Sequence, residues 1–162
     1  MAEKKEKLTI VLMHGELDYA LAAFILATTG ASMGMDVTMY FTFWGLNIIK
    51  KNDARIGGKS LIEKMLNFLN RGGARRARLS KMNMLGLGTY MMKGMMKKVG
   101  MPSLDEFIQM ANGLGVKMMP CSTTCGVMGG LSEETFRPEV SSLAGAAFFL
   151  NEARQSSVTL FI

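Results

Sequence analysis

Two cysteines, Cys121 and Cys125, and a single histidine, His14, are the side chains of this 162-residue chain best suited to nucleophilic or acid–base chemistry. Cys121 lies in Pro120-Cys121-Ser122-Thr123-Thr124-Cys125-Gly126-Val127-Met128-Gly129-Gly130. An apolar stretch ends at Pro120, which predicts that the thiol sits at a strand end and faces loop amides or a helix N-terminus. Such a place favours the thiolate, and the thiolate is the nucleophile in sulfur and disulfide exchange. The alternative is an inert, half-buried cysteine. Cys125 follows four residues later. In a regular helix that spacing separates Cβ atoms by ~5–6 Å, whereas a disulfide wants about 3.8 Å. A bridge therefore requires an irregular turn, which Gly126 can help supply. As a metal site the pair lacks the second pair of ligands that zinc needs, unless His14 or another chain contributes. Neither a metal nor a cofactor is expected. His14 can act as a base or orient a substrate, or simply bond to the backbone at a strand end.

The apolar pattern states how the chain places these residues. Leu8-Thr9-Ile10-Val11-Leu12-Met13 is a continuous run, the mark of a strand buried on both faces and hence of a parallel sheet. His14-Gly15 ends it. Asp18 is the expected N-cap of a long apolar helix reaching about Met33, with Gly34 as its C-terminal stop. Val37 to Phe43 reads as a second strand. Trp44-Gly45 and a short helix over Leu46 to Lys51 follow. Ser60 caps a helix carrying Leu61, Ile62, Met65, Leu66 and Leu69 at helical spacing. Residues 71–100 are basic, then rich in methionine and glycine, with a short amphipathic helix expected around Tyr90 to Val99.

Ser103-x-x-Glu106 is a capping box opening a helix with Leu104, Phe107, Ile108 and Ala111 on one face. Val116 to Met119 is a third strand, Pro138 to Arg154 a helix, and Ser157 to Ile162 a last strand. A count of about five strands leaves one unplaced, between Ser60 and Gly100. Alternating strands and helices predict a mostly parallel sheet with helices on both faces, in one domain spanning 1–162. Ligands of such sheets bind outside the carboxyl ends of the strands. His14-Gly15, Phe43-Trp44-Gly45 and Cys121 all fall there. Gly15, Phe43, Trp44 and Gly126 are accordingly the pocket candidates around Cys121.

Composition narrows the classes. The chain is 49% hydrophobic and 20% charged, a globular profile. Two close cysteines make no disulfide framework and suit a reducing cytoplasm. The net charge of +6 is concentrated in Lys4 to Lys7, Arg71 to Lys81 and Lys93 to Lys98. No aromatic residues interleave with these arginines, so a nucleic-acid partner is not expected. The longest uncharged stretch, Tyr19 to Met35, falls short of the ~20 strongly apolar residues of a membrane span, so no stable membrane insertion is expected. The methionine-rich stretch suits an adaptable partner surface, or a core cover.

Further stretches carry a resemblance. Phe41-Thr42-Phe43-Trp44-Gly45-Leu46, Ser80-Lys81-Met82-Asn83-Met84, Pro102-Ser103-Leu104, Cys121 with Val127-Met128-Gly129, and Val158-Thr159-Leu160-Phe161-Ile162 occur in this order along nearly the whole chain. In them the sequence resembles the DsrE/DsrF-like sulfur-relay proteins, and most closely a subgroup also labelled peroxiredoxin family protein, although no peroxidase cysteine motif is present. The resemblance implies a three-layer α/β/α fold, a homo-oligomer, and a sulfurtransferase or sulfur carrier that holds sulfur as a persulfide on Cys121. Small sulfur-carrier proteins would be its donors and acceptors. The family pattern usually has methionine and aspartate where this chain has Cys125 and Gly126, which leaves the role of Cys125 open. The competing functions are a thiol–disulfide redox protein using Cys121 and Cys125, and a non-enzymatic oligomer binding a ligand or metal through Cys121 and His14.

Overall fold

The computed structural model describes residues 6–54, 60–129 and 131–162. Lys4 and Lys5 of the first basic cluster, Gly130 of the cysteine segment and the side chain of Leu66 lie outside the described residues. Strands β1 (Lys7–Leu12), β2 (Asp36–Phe41), β3 (Lys117–Pro120) and β4 (Val158–Phe161) form one sheet in the order β3-β2-β1-β4. Every pair is parallel, with Ile10 opposite both Met39 and Leu160, and Met39 opposite Met118.

The sheet has four strands, not the five expected. Residues 60–100 carry the helices α3 (Leu61–Leu69) and α4 (Leu87–Lys98) instead. Their leucines and methionines recur at helical spacing, and the segment lacks the β-branched run that a strand favours. The nearest approach to a fifth strand lies beside β3. There Cys121 and Ala144 make a single parallel bridge. The Ser141 N–H donates to the Met118 carbonyl at 2.8 Å, and the Ala144 N–H to the Pro120 carbonyl at 2.9 Å. This pairing also explains why the helix expected from Pro138 begins later, as α7 (Ala146–Gln155).

The other helices are α1 (Leu17–Ser32), α2 (Leu46–Ile49), α5 (Leu104–Gly113) and α6 (Ser122–Met128). The capping box at α5 is present as read, with Ser103 and Glu106 each accepting from the other's backbone N–H. Gly34 follows α1 at φ +91°, the left-handed stop that glycine allows. Asp18, however, is not the N-cap of α1. Glu16 holds that place, without a side-chain cap bond. The Asp18 carboxylate instead accepts from the Ser80 N–H and hydroxyl, tying a distant loop to the helix.

Alternation along the strands gives the sheet two faces. Leu8, Ile10, Leu12, Val37, Met39 and Phe41 belong to the main core, with Phe24 of α1 and Ile108 of α5. The Phe24 and Phe41 rings lie 6.1 Å apart. Full burial of side chains of this size contributes ~1.5–3 kcal/mol each. The other face meets α7 and changes character along its length. Toward the amino ends the contact is polar: the Thr9 and Ser156 hydroxyls lie 2.7 Å apart, and Thr38 donates to Glu152 at 3.4 Å. Toward the carboxyl ends Val11, Tyr40 and Met119 pack with Ala144, Phe148 and Phe149, and Cys121 joins this second cluster. Among the described residues no helix is long and apolar enough to cross a membrane.

Candidate functional site

Cys121 is the first residue beyond β3 and the N-cap of α6. Its backbone is pinned on both sides. The Cys121 N–H donates to the Phe41 carbonyl at 2.8 Å, and the next N–H, of Ser122, to the Ala144 carbonyl at 2.9 Å. Three hydroxyls converge on the sulfur: Thr124 from the first turn of α6, Tyr40 from β2 and Thr42 just past β2. Sequence position explains the first, since Thr124 is the third helical residue after the N-cap and so lies near its side chain, although Cys121 makes no regular side-chain cap bond. Strand parity explains the others, because residues 40 and 42 share a face of the strand beside β3.

Burial pushes the Cys121 thiol up, but bonds from the Thr124 hydroxyl, the Tyr40 hydroxyl, the Thr124 backbone N–H and the Thr42 hydroxyl outweigh it and bring the thiol down to about 7. Tyr40 is positioned by its ring, stacked on Phe149 at 5.3 Å. Its hydroxyl also reaches the Ala144 carbonyl at 3.3 Å. Burial, and then the facing Cys121 sulfur, push the Tyr40 phenol upward, which keeps it a donor throughout the neutral range. The Thr42 and Thr124 hydroxyls are 2.9 Å apart and order each other. Phe43, immediately after Thr42, is held at φ +44°, a left-handed conformation that costs a bulky residue roughly 1–2 kcal/mol.

Residues 4–161 match the DsrE/DsrF/DrsH-like family. The chain belongs to that family. It is similar to the Bacillus subtilis protein YrkE, called uncharacterized, with 38% identity over 162 residues and the whole of both chains. It is also similar to the sulfur carrier protein DsrE2 of Allochromatium vinosum, with 32% identity over 168 residues, covering 98% of this chain and 99% of the other.

In this DsrE-like chain the second cysteine has a different setting. Cys125 is buried in the main core. Its N–H donates to the Cys121 carbonyl at 3.0 Å, an ordinary helical bond, and both thiols are free. Burial and then the Cys121 charge push the Cys125 thiol up to about 11, with Lys50 opposing. Lys50 itself is fully buried and donates to the Asn70 carbonyl at 3.1 Å. Burial holds its ammonium down at about 8. Gly126 supplies no irregular turn: it is an exposed residue of α6, and a Cβ there would meet open space.

The remaining sequence candidates are brought together only in part. Gly15 packs so tightly on the 44-position backbone that a Cβ would lie 2.7 Å from the Trp44 carbonyl oxygen. Phe43 and Trp44 are about half exposed, at 50% and 54%, so they rim the strand ends without closing over them. His14 lies two residues past the end of β1, and β1 is separated from β3, which leads to Cys121, by the intervening β2. The His14 ring stacks on Tyr19 at 4.1 Å and its Nδ1 lies 3.4 Å from the Glu16 carboxylate. Among the described residues no group of three or more His, Cys, Asp or Glu is arranged to hold a metal ion. The residues that the sequence reading missed are Tyr40, Thr42, Thr124 and Lys50. The first three carried a signal, since two share strand parity and one stands three residues after Cys121. Lys50, the first residue of the polar run Lys50-Lys51-Asn52-Asp53, carried none that separates it from a surface lysine.

Proposed function

We propose that this chain is a sulfur carrier of the sulfurtransferase type, accepting sulfane sulfur as a persulfide on Cys121. The observation that carries the reading is the hydroxyl cradle that brings a buried thiol down to about 7 at the carboxyl edge of the sheet. The similarity to a full-length relative named a sulfur carrier protein supports it. In loading, the Cys121 thiolate attacks the outer sulfur of a donor persulfide. A new S–S bond forms at Cys121, the donor's S–S bond breaks, and its electron pair leaves on the donor thiolate. In delivery an acceptor thiolate attacks the same outer sulfur, and Cys121 leaves as the thiolate that the cradle stabilises.

The helical turn between the cysteines favours a carrier over a dithiol oxidoreductase. Closing Cys121 onto Cys125 would break the first turn of α6, so Cys125 does not strip the persulfide as hydrogen sulfide. The two sulfurs instead serve different ends, one as the carrier and one as core. The proposed setting is the cytoplasm, as one domain in a homo-oligomer, with small thiol-bearing carrier proteins as donor and acceptor and no bound cofactor. Exposed apolar residues beside the strand ends, Phe43, Trp44 and Val127, suit such transient docking. The test is intact-mass measurement after incubation with a persulfide donor. Wild type gains about 32 Da, one sulfur atom, by thiol exchange. Equal uptake by Cys121→Ser overturns the reading.

A further inference from the structure

Away from Cys121, α4 and α5 enclose a cleft of about 870 Å³. Its size falls within the roughly 300–1,000 Å³ usual for small-molecule sites. Buried side chains, Leu17, Ala74, Met96 and Leu104, form its floor. Met101 and Met110 add adaptable thioether surface. Five charged groups line it: Arg75, Lys93, Lys97, Asp105 and Glu106.

These charges do not cancel evenly. Asp105 is engaged by Arg75 at 3.1 Å, by Asn52 at 3.1 Å and by Arg137. Glu106 is folded back into the capping box, 2.7 Å from the Ser103 N–H. Both acids are thus occupied, and Arg75 with them. Lys93 donates to the Arg75 backbone carbonyl at 2.8 Å and feels the Asp105 carboxylate without forming an ion pair with it. Among the described residues Lys97 makes no side-chain ion pair or hydrogen bond. The two lysines stand at i and i+4 on α4, side by side on one face of the helix, where like charges repel. Partial burial depresses the Lys93 ammonium. Lys97, without a side-chain partner, and Lys93, whose one hydrogen bond leaves two of its N–H groups to spare, therefore stand over an apolar floor.

We infer that the α4–α5 cleft binds an organic anion with an apolar body, its carboxylate-type head between Lys93 and Lys97 and its body against Met96, Met101 and Leu104. The charge complementarity selects the head, and the methionine-lined floor selects the body. The site is separate from Cys121, which lines no part of it.

Octanoate, octanol and acetate serve as probes in calorimetric titrations of the full chain. Octanoate is expected to saturate one site, with octanol and acetate each weaker by about tenfold or more, the value of one charge-assisted contact or of a buried chain. Lys93→Gln with Lys97→Gln should weaken octanoate by about tenfold or more, and Lys93→Arg with Lys97→Arg should retain it, which separates charge from folding. Lys64→Gln with Lys81→Gln, elsewhere on the basic surface, should change nothing. Octanol binding as well as octanoate, or the Gln pair binding like wild type, overturns the inference. So does sedimentation showing that a second copy of the chain fills the cleft and excludes octanoate.

Discussion

Cys121 and Cys125 stand one helical turn apart, and their surroundings move them in opposite directions. Cys121 belongs to the small cluster under α7, where Tyr40, Thr42 and Thr124 turn hydroxyls toward it. Cys125 belongs to the main core, where burial and then the Cys121 charge raise it, and the Lys50 charge and a backbone hydrogen bond oppose them without prevailing. Burial raises both thiols. What separates them is the supply of donors. A buried thiol becomes a nucleophile when its neighbours can bond the ionised form, and becomes packing when they cannot.

The largest effect that tests this contrast is deletion. Cys121→Ser is expected to abolish sulfur loading in the intact-mass assay, while Cys125→Ser stays within about threefold of wild type, because only a thiolate takes up sulfane sulfur. Loss of loading in both variants would show that the sulfurs act as a pair and would break the comparison. The next effect is the pH profile of alkylation, read peptide by peptide. Cys121 should label with a midpoint near 7 and Cys125 near 11. At pH 7 the thiolate fractions then differ by several thousandfold. Intrinsic nucleophilicity falls with pKa and offsets part of this, leaving a rate ratio on the order of a hundredfold.

A smaller effect dissects the cradle. Tyr40→Phe or Thr124→Val removes one donor to the sulfur, worth about 1 kcal/mol or somewhat under one pKa unit. The Cys121 pKa rises, so the thiolate fraction at pH 7 drops about threefold to fivefold. Loading should slow at pH 7 by about half that factor, because the more basic thiolate is the better nucleophile, and recover by pH 9, where the thiol ionises regardless. A deficit that persists at pH 9 would show that the hydroxyls are structural and do not tune the sulfur.

The contrast between the cysteines also marks where sequence reading stops. The run Leu8 to Met13 announced a doubly buried strand because every residue in it is apolar or β-branched. Ser103 and Glu106 announced a helix start because the capping bonds are local. Cys121 at a strand end followed from Pro120 and the apolar residues before it. The cradle did not follow. It depends on β2, not another strand, lying beside β3, and on Tyr40 and Thr42 sharing the face that Cys121 presents. Asp18 misled for the same reason: its caplike position was local, but Ser80, 62 residues away, claimed its carboxylate. The fifth strand, expected between Ser60 and Gly100, failed because that segment folds into helices, and the edge of β3 is met instead by a short loop, Ser141 to Ala144, which carries no strand pattern of its own.

The smallest effect concerns the Cys125 side. Lys50 is fully buried with its ammonium held at about 8, below the ordinary lysine value of 10.5. A base whose pKa is lower in the folded state binds fewer protons there, so folding stability rises with pH between about 8 and 10.5. Lys50→Met keeps the volume and removes the titration. It also strands the Asn70 carbonyl, a cost that does not vary with pH. The stability of wild type minus that of the variant, from urea midpoints, should therefore increase by about 1 kcal/mol between pH 7 and pH 9. Cys121 titrates across the same window, but equally in both proteins, and cancels. A flat difference would mean that Lys50 titrates as it does in water. Its compartment would then be wet, and burial could no longer be what keeps Cys125 protonated.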